Sequence, residues 1–182
     1  MRTRHRVKDH FGISRAEVQP SEPIEFVRAG GRKPHDMIGT TRAALKLVSD
    51  RFLEVLREHG FSGWATFPAR VVLDGEHELG GYHGFAVAGR CGPIDDRLSE
   101  EVTLPPPVPE GRPTPGLRGL CFQPETWDGS DFFASEAGGA MIFVVERVKD
   151  AFEHAGLTNV AFERLTEIER LWRADGSFVD EG

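Results

Sequence analysis

The residues best able to do chemistry crowd into one hairpin-sized stretch, HGFAVAGRCGPID, which holds His83, Cys91 and Asp95. A Cys–His pair whose imidazole is oriented by a carboxylate makes a thiolate nucleophile. In an extended strand, positions 83 and 91 share a face but lie more than about 24 Å apart. Contact between them needs a fold-back for which the sequence carries no turn signal. Cys91, between Arg90 and Gly92, therefore reads as a strand-end residue. His35, Asp36, His77 and His83 are candidate metal ligands by type. No HxH, HExxH or CxxC spacing pre-positions any two of them, so no metal site is assigned. The stretches AGGRKP, GRCGP and EAGGAM match neither GxGxxG nor GxxxxGK[ST] and read as turns, so no cofactor is expected. No catalytic residue is assigned.

The acidic stretch from Asp95 to Glu101 is different. Asp95, Asp96, Glu100 and Glu101 place four carboxylates in seven residues. An acid–base pair needs a desolvating pocket, which a polar loop does not supply. A patch of carboxylates facing a cationic protein needs only exposure, so these four are the candidate partner-binding residues; the competing reading is a solvated loop. Charge is uneven on a larger scale too. Residues 1–34 hold 8 Lys/Arg against 4 Asp/Glu, a net of +4, and residues 35–182 hold 14 against 25, a net of −11. An acidic body argues against nucleic acid as the partner and suits a basic protein. Arg2, Arg4, Arg6 and Lys8 lack the interleaved aromatics or apolar face that RNA or lipid binding requires. No run approaches about 18 apolar residues, so no membrane span is expected. The positive N-terminus has no apolar core of about 7–15 residues behind it, and two cysteines make no disulfide framework. The expected compartment is the reducing cytoplasm.

These residues must be positioned by a core. A 182-residue chain is read as one domain that buries roughly 70% of its unfolded surface. Residues 1–23 are polar and charged and are expected to be poorly ordered. Residues 24–172 are expected to form the single domain, with 173–182 a polar tail. IEFV (24–27), ALKLV (44–48), WATFPARVVL (64–73), YHGFAVAGRC (82–91), LRGLCF (117–122), MIFVV (141–145) and NVAFERL (159–165) read as strands. Phe52, Val55, Leu56 and His59 form a helical stripe that opens at Ser49, an N-cap type, and stops at Gly60. Val148, Ala151, Phe152 and Ala155 form a second, stopped at Gly156. Pro105, Pro106, Pro107, Pro109 and Pro113 make 105–116 a loop and the expected hinge between two halves.

An internal repeat is the most informative pattern. Displaced by 96, residues 44–67 lie on 140–163 without a gap, with five identities: Ala44/Ala140, Val48/Val144, Arg51/Arg147, Gly60/Gly156 and Ala65/Ala161. Asp36-Met37-Ile38 also matches Asp131-Phe132-Phe133 with a one-residue slip. The expected fold is α+β with mostly β content, built from two related strand–helix–strand halves at about 36–72 and 131–168.

The stretches LVSDRFLEVLREHGFSGWATFPARVV (47–72), GYHGFAVAGRCGPID (81–95), WDGSDFF (127–133) and IFVVERVKDAFEHAGLTNVAFERL (142–165) together resemble the immunity proteins of bacterial polymorphic toxin systems. The group was once catalogued as a domain of unknown function and is typified by a myxobacterial member. The resemblance leaves residues 1–23 outside. At the second helix start, where the group commonly has Ser, this chain has Val145 before Glu146. The resemblance implies a non-enzyme that binds and neutralises a cognate toxin inside the producing cell. Two alternatives differ in class: a small cytoplasmic enzyme using His83, Cys91 and nearby carboxylates, and a protein-interaction module unrelated to toxins.

Overall fold

The computed structural model describes residues 1–31, 33–74, 77–106, 108, 110–137 and 140–179. The fold is α+β and mostly β. In chain order it runs β1 (Arg2–Thr3), α1 (His10–Ser14), β2 (Ile24–Val27), β3 (Met37–Gly39), β4 (Lys46–Ser49), α2 (Asp50–Glu58), β5 (Trp64–Phe67) and β6 (Ala69–Val72). It continues β7 (Glu78–Leu79), β8 (Tyr82–Val87), β9 (Gly89–Cys91), β10 (Glu100–Leu104), β11 (Thr114–Arg118), β12 (Phe132–Ser135), β13 (Phe143–Val144), α3 (Glu146–Ala155) and β14 (Glu169–Arg170). The chain divides into two compact units with interleaved sequences: residues 1–90, 129–134 and 138–161, then residues 91–128, 135–137 and 162–182.

In the first unit, β3-β4-β8-β5 is an antiparallel sheet, and β1-β2-β6-β7 contains the parallel pair β2–β6. Pro68 separates β5 from β6 because proline cannot donate to a ladder, and the two strands join different sheets. Helix α2 starts where the Ser49 hydroxyl accepts the Phe52 N–H at 3.1 Å, and it buries Phe52, Leu53, Val55 and Leu56. Helix α3 starts at Val145 with no side-chain cap, and it buries Val148, Ala151 and Phe152. Gly60 and Gly156 both take φ +61°, the left-handed geometry that ends a helix without a Cβ penalty. The two stripes meet through Phe52 and Phe152, whose ring centroids are 4.8 Å apart and edge-on. Phe85 and Phe132 extend the cluster at 5.5 Å from Phe52 and 6.0 Å from Phe152.

Two aspartates, the half-buried Asp36 and the buried Asp131, tie the matched segments together in the same way. Asp36 accepts the backbone N–H and hydroxyl of Thr158 at 2.9 and 2.8 Å, and its carbonyl accepts the Ser49 N–H. Asp131 accepts the backbone N–H and hydroxyl of Ser62 at 2.8 and 3.0 Å, and its carbonyl accepts the Val145 N–H. Arg51 lies 3.3 Å from Asp36, and Arg147 lies 2.7 Å from Asp131. Each aspartate therefore holds the strand end before one helix, the arginine in that helix's first turn, and the turn after the other helix. The two ties correspond crosswise, but the closing strand expected of the second half does not recur. Residues 160–163 keep the alternation, with Val160 and Phe162 half-buried and Ala161 and Glu163 exposed, yet no ladder forms there. Alternation reports which face is dry; it does not supply a neighbouring strand.

Three further expectations change. Residues 1–23 are held in place: β1 pairs with β2, and Ile13 of α1 is buried with Phe26, Leu45 and Leu47. Residues 105–113 are not a hinge between halves. They join β10 to β11, an antiparallel hairpin wholly inside the second unit, with Pro107 and Pro109 outside the described residues. Pro115 lies within β11, opposite Thr103, at a level where β14 does not reach, so its missing N–H costs no ladder bond on that side. Lastly, residues 173–179 are not simply a polar tail, and 180–182 lie outside the described residues. Trp172 and Phe178 form an antiparallel bridge, and Val179 is buried.

Candidate functional site

The four carboxylates singled out in the sequence all lie in the second unit, but three are committed to that unit's own structure. Asp95 accepts Arg97 Nε and Nη2 at 2.8 and 2.7 Å and the Gln123 amide at 3.0 Å. The hydrogen bonds from Arg97 hold its carboxyl well below the usual carboxylate range, against the opposing effect of burial. Asp96 has Oδ1 2.7 Å from Arg170 Nη2, and its Oδ2 accepts the Ala174 N–H at 2.8 Å. Glu100 sits across the ladder from Arg118, which it meets at 3.0 Å; Glu169 binds the same guanidinium at 2.9 Å. The Glu101 side chain is exposed and has no hydrogen-bond or ion-pair partner among the described residues. Sequence reasoning found the acidic loop but not these pairings, because the arginines that answer it are up to about 75 positions away.

Arg170 organises this unit. Its side chain is 2% exposed, and it donates to the Gly119 and Trp172 carbonyls and to the Ser99 hydroxyl while pairing with Asp96. A buried guanidinium is tolerated only when its donors are answered and a carboxylate faces it. The chain leaving Arg170 then turns tightly. Arg173 N–H donates to Ser177 O at 2.7 Å, Val179 N–H to Leu171 O at 2.9 Å, and Gly176 takes φ +84°. Asp175 accepts the Ser177 N–H and hydroxyl at 2.9 and 2.6 Å, which closes the turn. Trp172 and Phe178 oppose each other across it and so project from one face, with exposures of 49% and 70%. Sequence reading passed over this pair, although Asp175-Gly176 between two aromatics is a hairpin signal.

The residues considered for catalysis and metal binding are placed separately. His83 Nε2 lies 2.6 Å from Asp50 Oδ1, and both side chains are exposed. Cys91 falls in the other unit, fully buried. Burial, with Asp128 and Glu136 nearby, pushes its thiol up to about 11, so at neutral pH it is a thiol and a poor nucleophile. The Asp36 carboxylate is taken up by Thr158, Ser49 and Arg51, and the His35 carbonyl accepts the Tyr82 hydroxyl. Among the described residues no three His, Cys, Asp or Glu converge on a point that could hold a metal ion. No helix among them is long and apolar enough to cross a membrane.

The second unit's sequence holds 6 Arg and no Lys against 14 Asp/Glu, a net of −8, whereas the first holds 16 Lys/Arg against 15, a net of +1. The acidity of the chain is therefore a property of one unit. What the arrangement offers chemically is a surface with an apolar pair of rings among carboxylates, and scaffold aspartates that are already occupied. Comparison with curated proteins finds no match. The model of an immunity protein family (Imm11) matches residues 4–167, which brings in most of the N-terminal segment that the initial resemblance left aside. The chain belongs to that immunity protein family.

Proposed function

We propose that this chain is a stoichiometric immunity protein that binds and neutralises a cognate toxin in the cytoplasm of the producing bacterial cell, without catalysis of its own. Family membership over residues 4–167 carries the reading. The chemistry of the individual groups supports it. The buried Asp131 and the half-buried Asp36 and Asp96 each have a partner inside the fold, and the Cys91 thiol is driven away from thiolate character. A basic toxin is the partner that the −8 unit suits, with Asp95, Asp96, Glu100 and Glu101 contributing to its field. Since Asp95, Asp96 and Glu100 are neutralised locally by Arg97, Arg170 and Arg118, Glu101 is the carboxylate freest to meet a cation.

The test is co-expression with the toxin encoded by the adjacent gene. Protection of growth, together with a 1:1 complex on purification, is the expected outcome. A folded chain that neither protects nor co-purifies sinks the immunity reading.

A further inference from the structure

We propose that Trp172 and Phe178 are the anchor by which the second unit grips its partner, a basic toxin surface with an apolar pocket. The inference rests on the immunity reading above and assigns that function a site. Two large aromatic side chains sharing one face and left 49% and 70% exposed are costly to hydrate, since a ring of this kind buries about 150–250 Å² in full and about half or more of that is still in water here. Trp in particular is enriched where a few residues carry most of a binding energy.

The pair is also held ready. The Arg173–Ser177 and Leu171–Val179 backbone bonds, the Asp175 turn and the buried Val179 fix the hairpin, and Arg170 clamps the Trp172 carbonyl at 2.8 Å. Little conformational freedom then remains to be lost on docking. Through Ala174 N–H the same hairpin is fastened directly to Asp96 of the acidic loop.

Charge decides the occupant. A unit of net −8 repels a second copy of itself and attracts a cationic surface, while the rings supply the desolvated centre that charge alone does not. The hairpin lies beyond residue 167, where the family match stops.

The experiment measures binding of the full chain to a catalytically inactive form of the toxin domain encoded by the adjacent gene. Trp172→Ala and Phe178→Ala are each expected to weaken Kd by at least about 30-fold, mainly through faster dissociation, with unchanged circular dichroism and Tm. Phe11→Ala, which removes an equally exposed ring from the first unit, is expected to stay within twofold. Phe178, the more exposed ring, decides the question if Trp172→Ala loosens the hairpin. Folded Phe178→Ala that binds within threefold of a binding wild type overturns the anchor and leaves the immunity function standing. A wild type that neither binds nor protects removes the function, and the anchor with it. A wild-type dimer that Trp172→Ala dissociates while toxin binding is unchanged gives the face to a second copy and overturns the proposal.

Discussion

Asp131 is 4% exposed and still ionised, because burial, which would raise its pKa, is outweighed by the Ser62 N–H and hydroxyl and by two bonds from Arg147 at 2.7 Å. Its carboxyl sits below its ordinary value, and the same balance lowers Asp36 through Thr158, Ser49 and Arg51. A depressed folded pKa means that the folded state favours the carboxylate. The stabilisation is therefore complete above the unfolded value of about 3.9 and disappears as pH falls through the folded pKa. Asp131→Asn should cost roughly 1–3 kcal/mol at pH 7, since the Ser62 donors keep only one neutral acceptor and Arg147 loses its counter-ion. On going from pH 7 to pH 3 the gap between wild type and variant should narrow, because wild type loses what the variant never had. Urea midpoints at the two pH values measure this, and a constant gap would mean that the Asp131 carboxylate stabilises nothing.

At the scale of elements, the turn after α2 carries the clearest geometric demand. Gly63 has φ +81°, and a Cβ there would lie 2.1 Å from the Phe132 carbonyl oxygen and 2.6 Å from the Ser130 Cβ. Gly129 has nearly the same φ, +82°, with nothing within 4 Å of its Cβ position. Gly129→Ala should therefore cost only the left-handed penalty of about 1–2 kcal/mol. Gly63→Ala should cost about 3–5 kcal/mol, because backbone as well as dihedral must yield. Equal denaturation midpoints for the two variants would show that the close approach is not maintained in solution. The contrast also marks what the sequence made legible. The 3.6-residue stripes through Phe52 and Phe152, the Ser49 cap and the glycine stops are local signals, and the helices fall where those signals put them. Ile24–Val27 is a strand over the four residues its β-branched and aromatic character marks. Pairing is not local: the parallel β2–β6 register, β1 on β2, and the proline-rich connection that closes a hairpin all depend on residues far apart in the chain. So do the partners of the acidic loop. Arg118 and Arg170 were visible as arginines, but their commitment to Glu100 and Asp96 follows only from the β10-β11-β14 sheet.

At the scale of the whole molecule, the proposed basic partner makes the charge asymmetry a matter of how an encounter begins rather than how tightly it ends. A −8 unit whose carboxylates are mostly paired at home would act on such a partner mainly through its summed field, which is screened beyond about 8–10 Å at physiological salt. Neutralising all four loop acids together would confound steering with folding, since Asp96 answers the buried Arg170 and removing one member of such a pair costs about 3–5 kcal/mol. Glu101→Lys avoids this, being exposed and without a partner among the described residues. It shifts the field by two charges and should slow association with the inactive toxin domain severalfold at low salt, flatten the dependence of on-rate on ionic strength, and leave the off-rate almost unchanged. Glu54→Lys makes the same charge change on the exposed face of α2 in the first unit and should move the on-rate much less. Stopped-flow association of both variants across salt concentrations separates the two. If Glu101→Lys and Glu54→Lys slow the encounter equally, only total charge matters and the acidic unit does no steering of its own. If neither does, the acidity serves solubility, and recognition rests on apolar contact alone.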